Sequence, residues 1–172
     1  DVCSSDLTLV NSPTYTSGTP SYFTFSPASS QRGTGSTNNV LPQTSYSKTV
    51  WFRLNSYVDN NLVSSETGGH FMYFAGSSTL YCGHSNWGNY GSFPSATTFS
   101  LNTWYYAALT FNTSEGMILY VNGTQNATYT ANKTAHNGNG STNLACFGVG
   151  NLLDGRIAEV YCYNRVLTSS EV

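Results

Sequence analysis

Apolar and polar residues alternate with a period of two along much of this chain. Within residues 48–54, Val50, Phe52 and Leu54 fall on one face and Trp51 and Arg53 on the other. Residues 104–111 set Ala107, Leu109 and Phe111 against Trp104, Tyr106 and Ala108. Residues 117–121 run into Asn122-Gly123, a hairpin signal because both residues tolerate positive φ. Further strands are predicted over residues 22–25, 70–74, 80–84, 143–149 and 156–163. Prolines 13, 20, 27, 42 and 94 fall outside all of these, as ladder hydrogen bonding favours. Many short strands separated by turns predict an all-β, two-sheet antiparallel sandwich of the jelly-roll kind. Its inner faces are expected to include Val50, Phe52, Leu54, Leu109, Phe111, Ile157 and Val160. One helical signal stands at the end, where Thr168-Ser169-Ser170-Glu171 has the form of a capping box.

Composition agrees with strands. Charged residues make up 8% of the 172, against about 25% in an ordinary soluble domain. Ser, Thr, Asn, Gly and Tyr fill their place, a poor mixture for exposed helix faces. A net charge of −2 leaves no basic footprint for nucleic acid or an anionic membrane. No apolar run approaches the ~18 residues that read as a spanning helix. The expectation is therefore no nucleic-acid partner and no membrane insertion.

Four cysteines stand at positions 3, 82, 146 and 162, none in a C-x-x-C pair, so structural zinc is not expected. Cys82 and Cys146 lie in mid-chain strands and are the expected bridge, if one forms. Cys162 takes an inward position in the last strand and is expected to be buried and reduced. The other reading makes all three small buried hydrophobes. Sequons occur at Asn112, Asn122, Asn126, Asn132 and Asn139, candidate glycosylation sites in a secreted eukaryotic chain. Random placement of 18 Asn among 46 Ser and Thr gives about five such motifs, so their number is uninformative.

Candidate chemistry is sparse. Glycoside hydrolysis needs two carboxylates flanking the sugar bond, and the chain has eight acidic residues, with Asp154 and Glu159 the nearest to a pair. Both read more simply as a turn residue and a bulge residue. His70, His84 and His136 are not accompanied by a nucleophile motif or H-E-x-x-H. No enzyme and no catalytic residue are expected. Residues 81–91 gather aromatics and amides around three glycines, the mixture a polar ligand favours: rings for C–H faces, donors and acceptors for hydroxyls. His84, Asn86, Trp87, Asn89 and Tyr90 are therefore expected to line one accessible groove.

The order of motifs resembles the laminin G-like, concanavalin A-like jelly-roll family. Leu9-Val10-Asn11-Ser12-Pro13-Thr14-Tyr15 before Tyr22-Phe23-Thr24-Phe25, and Gly116–Gly123 reading GMILYVNG, are similar to its early segment and its central hairpin. Asn102-Thr103-Trp104-Tyr105 with Leu109-Thr110-Phe111-Asn112 resembles the strand before that hairpin. Asp154-Gly155-Arg156-Ile157-Ala158-Glu159-Val160 and Tyr163-Asn164-Arg165-Val166-Leu167-Thr168 match its terminal signature, the most specific of these motifs. The resemblance implies one domain over residues 8–172 and a recognition or adhesion module outside the cell. A glycan or a surface protein would be its partner. It also makes calcium conceivable, although no D-x-D-x-N spacing supports a site, and no cofactor is expected. The clustered acidic strand of the glucanase relatives is missing. The other reading is a structural subunit of a virion or fibre, packing against copies of itself. The opening DVCSSDL back-translates to the end of a sequencing adapter, so residues 1–7 are expected to be non-native, with the domain cut at both ends.

Overall fold

The structure is a computed structural model describing residues 7–35, 41, 44–65, 69–86, 89–131, 133–136 and 141–172. Fifteen strands follow one another among these residues. The early ones are β1 (Thr8–Val10), β2 (Thr14–Thr16), β3 (Tyr22–Phe25), β4 (Arg32–Thr34) and β5 (Ser45–Leu54). Then come β6 (Asp59–Asn61), β7 (Val63–Ser65), β8 (His70–Ala75), β9 (Thr79–Asn86) and β10 (Asn89–Thr98). The last are β11 (Tyr105–Asn112), β12 (Gly116–Val121), β13 (Thr124–Tyr129), β14 (Thr142–Leu144) and β15 (Gly155–Tyr163). A single 3₁₀ turn, Pro27–Ser29, interrupts them.

One layer is a seven-stranded sheet in the order β13-β12-β11-β5-β15-β3-β2. The other consists of two four-stranded sheets, β10-β9-β8-β6 and β1-β4-β14-β7. These two abut where the chain passes from β6 to β7: the Leu62 N–H donates to the Met72 carbonyl at 2.9 Å, and the Leu62 carbonyl accepts from the Ala145 N–H, just after β14, at 2.9 Å. Every strand pair is antiparallel, as expected.

Between the layers lies one core. Phe52 from the seven-stranded sheet meets Phe74 of β8 at 5.6 Å and Phe99 at 5.5 Å. Six of the seven predicted inner residues are at most 1% exposed, each contributing about 1.5–3 kcal/mol by burial. Val160 is the exception, only partly buried, because a register shift between Ile157 and Val160 bends β15 there. Close backbone approach fixes one glycine: a Cβ on Gly83 would run into the Gly91 carbonyl across the β9–β10 pair.

Three expectations need correction. Pro94 lies inside β10, opposite Tyr81; β10 is the edge strand of its sheet, where a missing N–H donor is tolerated. The strand expected over residues 143–149 is only Thr142–Leu144; beyond it the chain turns at Ala145 and Gly148, both with positive φ. The cysteines are redistributed as well. Cys82 and Cys146 are buried thiols outside any disulfide, and Cys162, though fully buried, is disulfide-bonded rather than reduced. Cys82 is held in the middle of β9 opposite Met72, whereas the Cys146 sulfur sits against the Gly33 carbonyl in the other small sheet. Of the segment read as non-native, residues 1–6 lie outside the described residues, and Leu7 packs partly buried against the core.

At the C-terminal end the capping residues do engage. The Thr168 N–H donates to the Glu171 carboxylate at 2.8 Å, and the Arg165 guanidinium grips the same carboxylate in a two-point salt bridge. These contacts hold the Glu171 carboxyl down at about 2, the Arg165 hydrogen bond first among them.

Candidate functional site

Two polar constellations stand out, one inside the sandwich and one on its outer face. The first follows from the alternation of β5. Tyr46 and Lys48 precede Val50 on the inward face, so both are carried into the interior with no exposed surface. Lys48 Nζ donates to the Val63 carbonyl at 3.0 Å and to His70 Nδ1 at 3.0 Å. The Tyr46 hydroxyl donates to His84 Nδ1 at 3.1 Å, while His84 Nε2 donates to the Thr134 carbonyl at 2.9 Å. These partners fix the tautomer: Nδ1 must accept, so Nε2 carries the proton. His136, 1% exposed, meets the Tyr46 ring edge-on at 5.5 Å and the His84 ring at 5.7 Å.

All three histidines of the chain thus converge on Tyr46, an arrangement invisible in their sequence spacing. Burial drives the His84 pKa down to about 4, and His70 well below its ordinary value, with Lys48 and the other histidines pushing the same way. Burial also lowers the Lys48 ammonium to about 7 and raises the Cys82 thiol to about 12. Tyr46, Lys48, His70 and His84 have no exposed surface and His136 only 1%, so the cluster is part of the interior.

His84 consequently cannot line an accessible groove, contrary to expectation. It lies on the same face of β9 as Leu80 and Cys82, all three without exposed surface. Trp87 lies outside the described residues, as do the side chains of Asn86, Asn89 and Tyr90; the backbones of Asn86 and Asn89 are register partners.

The second constellation is on the outward face of the seven-stranded sheet. Trp51, Tyr106, Arg53 and Arg156 point away from the core because Val50, Phe52, Ala107 and Ile157 point into it. Trp51 packs beside its register partner Tyr106 at 5.5 Å. Trp104, just before β11, meets Tyr22 of β3 at 5.6 Å, although β5 and β15 run between those strands. Strand spacing puts their backbones roughly 14 Å apart, so the two side chains lean toward each other over the sheet. Thr19, Pro20, Trp51, Trp104 and Glu159 enclose an open groove of about 310 Å³ with mostly apolar walls. Its one carboxylate, the exposed Glu159, is set there by the β15 bulge, where Ala158 and Glu159 together stand opposite Trp51.

Asp154 is not part of this groove. Its carboxylate accepts from Asn55 and Ser56, and its N–H donates to Asn60 Oδ1 at 2.7 Å, so it is the turn residue its sequence context implies. Among the described residues no three His, Cys, Asp or Glu side chains converge as metal ligands. Of the sequons, Asn112 closes the turn to Glu115, Asn122 accepts from the Tyr106 N–H, and Asn126 bridges to Ala96 and Thr97 of β10. Asn132 and Asn139 lie outside the described residues.

No curated protein sequence matches the chain. Solved structures do. The binding domain of Paraclostridial Mosquitocidal Protein 1 superposes with a TM-score of 0.77 at 17% identity, covering 96% of this chain and 45% of that one. A structure described as "Cell entry of botulinum neurotoxin type C is dependent upon interaction with two ganglioside molecules" gives 0.76 at 16%, covering 96% and 45%. The binding domain of botulinum neurotoxin DC in complex with rat synaptotagmin II gives 0.74 at 14%, covering 96% and 44%. The chain thus spans somewhat under half the length of these structures, and at such identities the likeness is one of fold. In sequence, residues 18–172 match the family described as the concanavalin A-like lectin/glucanases superfamily. That match covers nearly the whole jelly roll and its terminal signature, and it makes this chain a laminin G-type member of the concanavalin A-like lectin/glucanase superfamily.

Proposed function

We propose that this domain is a non-catalytic recognition module that binds carbohydrate in the groove formed by Trp51, Trp104 and Glu159. The observation that carries this reading is the groove's chemistry: two half-buried indole rings on the outer face of the sheet beside one exposed carboxylate. Indole faces stack on the C–H faces of a pyranose, and a carboxylate accepts hydrogen bonds from its hydroxyls. Hydrolysis would need a second carboxylate across the sugar bond, and the described lining offers one. The ganglioside interaction of one structural neighbour, and the synaptotagmin II complex of another, support a role in recognising glycans or surface proteins. A disulfide at Cys162 supports an extracellular or otherwise oxidising setting.

The test is a glycan array probed with the isolated 172-residue domain. Binding to a defined set of glycans is the expected outcome. Silence across a broad array, with the protein shown to be folded, would overturn the reading.

A further inference from the structure

The outer face holds two positive charges that the fold itself does not neutralise. Arg53 of β5 and Arg156 of β15 are direct cross-strand partners, the position in which like charges destabilise a sheet. The chain has only six basic side chains, so placing two of them opposite each other needs a reason. The other four are committed elsewhere. Lys48 is in the interior, Arg165 is paired with Glu171, and Lys133 and Arg32 donate to the Ser114 and Ser30 carbonyls. Neither Arg53 nor Arg156 has a carboxylate partner among the described residues.

Both guanidinium groups are nevertheless held in place. Arg53 Nη2 donates to Asn102 Oδ1 at 2.9 Å, and the Arg156 guanidinium lies over the Tyr22 ring, 4.9 Å from its centre. The Nε atom of each is buried without a hydrogen-bond partner. Tyr22 in turn packs on Trp104, which is a wall of the groove. Trp51 is the next outward residue before Arg53 on β5. The arginine pair therefore adjoins the stacking surface directly.

We infer that Arg53 and Arg156 form an anion subsite at the end of the groove, and that its ligand is an acidic glycan. This rests on the carbohydrate reading above and specifies its ligand class. A carboxylate or sulfate on the sugar accepts from the two guanidinium groups, whose planar N–H forks suit such oxyanions. The adjoining ring lies on Trp51 and Trp104, and Glu159, two register steps away at the bulge, takes hydroxyl hydrogen bonds from the uncharged part of the ligand. The bound anion also removes the repulsion between the two arginines, a gain no neutral sugar supplies.

Calorimetric titration of the 172-residue chain with lactose, 3′-sialyllactose and 3′-sulfolactose tests this, in wild type and in Arg156→Gln. At least one acidic sugar should bind about tenfold or more tightly than lactose. Which of the two does so identifies carboxylate or sulfate as the anion. Arg156→Gln should erase the preference, and added sodium chloride should weaken only the acidic ligand. Arg53→Gln serves as a second variant, and thermal melts confirm that both are folded. Equal affinity for neutral and acidic sugars, a preference that survives both substitutions, or no binding of either acidic sugar would overturn the inference. In any of these cases the carbohydrate reading stands or falls separately, by the array and by whether Trp104→Ala removes the binding found there.

Discussion

Lowering the pH from 7 to 4.5 should destabilise this domain by at least about 2 kcal/mol. The cause is the interior cluster. His84 has a native pKa near 4, and His70 lies well below its ordinary value, because burial disfavours the charged imidazole. Between those native values and the unfolded value of about 6.5, the unfolded chain holds protons that the native chain does not. Stability therefore rises with pH across that window, is complete above 6.5, and is lost as pH falls toward 4. For His84 alone the depression corresponds to about 3 kcal/mol. The groups facing it are Tyr46, Lys48, Cys82, His70 and His136, and none is an acid that could stabilise an imidazolium at these pH values.

Lys48 extends the slope upward. Its native pKa of about 7 lies below the unfolded 10.5, so stability keeps rising above pH 7. Cys82 opposes this from about pH 9, because its native thiol holds its proton up to about 12. The expected optimum is therefore mildly alkaline. Urea unfolding midpoints at pH 4.5, 7 and 9 should increase in that order, and His84→Gln should flatten the acid limb. A profile that is flat between pH 4.5 and 7 would mean that the imidazoles are not buried neutral.

The second large effect concerns binding. Trp51→Ala and Trp104→Ala should each weaken the glycan found on the array by about 30-fold, the ~2 kcal/mol typical of an aromatic anchor. The double variant should bind too weakly to measure. Both rings stand on the outer face, so the core of Val50, Phe52, Leu109 and Ile157 is untouched and the variants should remain folded by circular dichroism. Trp51→Phe should recover part of the affinity, since a smaller ring still offers a stacking face. Full affinity in the double variant would move the site elsewhere.

The sandwich was legible because its core is written locally. Alternation along residues 48–54 and 104–111 identifies which side chains enter the interior, and the solved register agrees. The same alternation already places His84 with Leu80 and Cys82, and Lys48 with Val50, but the aromatic richness of residues 81–91 outweighed it. Local concentration of binding-type residues was the wrong guide for His84. The groove assembles Pro20, Trp51, Trp104 and Glu159 from four distant segments, joined only when β3, β5, β15 and β11 come side by side. Sequence spacing holds no trace of that adjacency, nor of the bulge that turns Glu159 toward Trp51. The disulfide failed for the same reason, since bridging depends on long-range proximity rather than on shared strand character.

The most direct test uses the fact that the chain has three tryptophans, at positions 51, 87 and 104, each with one indole N–H signal in a ¹H–¹⁵N spectrum. Titrating the domain with a glycan identified on the array should shift the Trp51 and Trp104 signals together, along one saturating curve, while Trp87 stays in place. If Trp87 alone moved, and Trp51 and Trp104 did not, the ligand would be on the β9–β10 hairpin and the outer-face groove would not be the binding site.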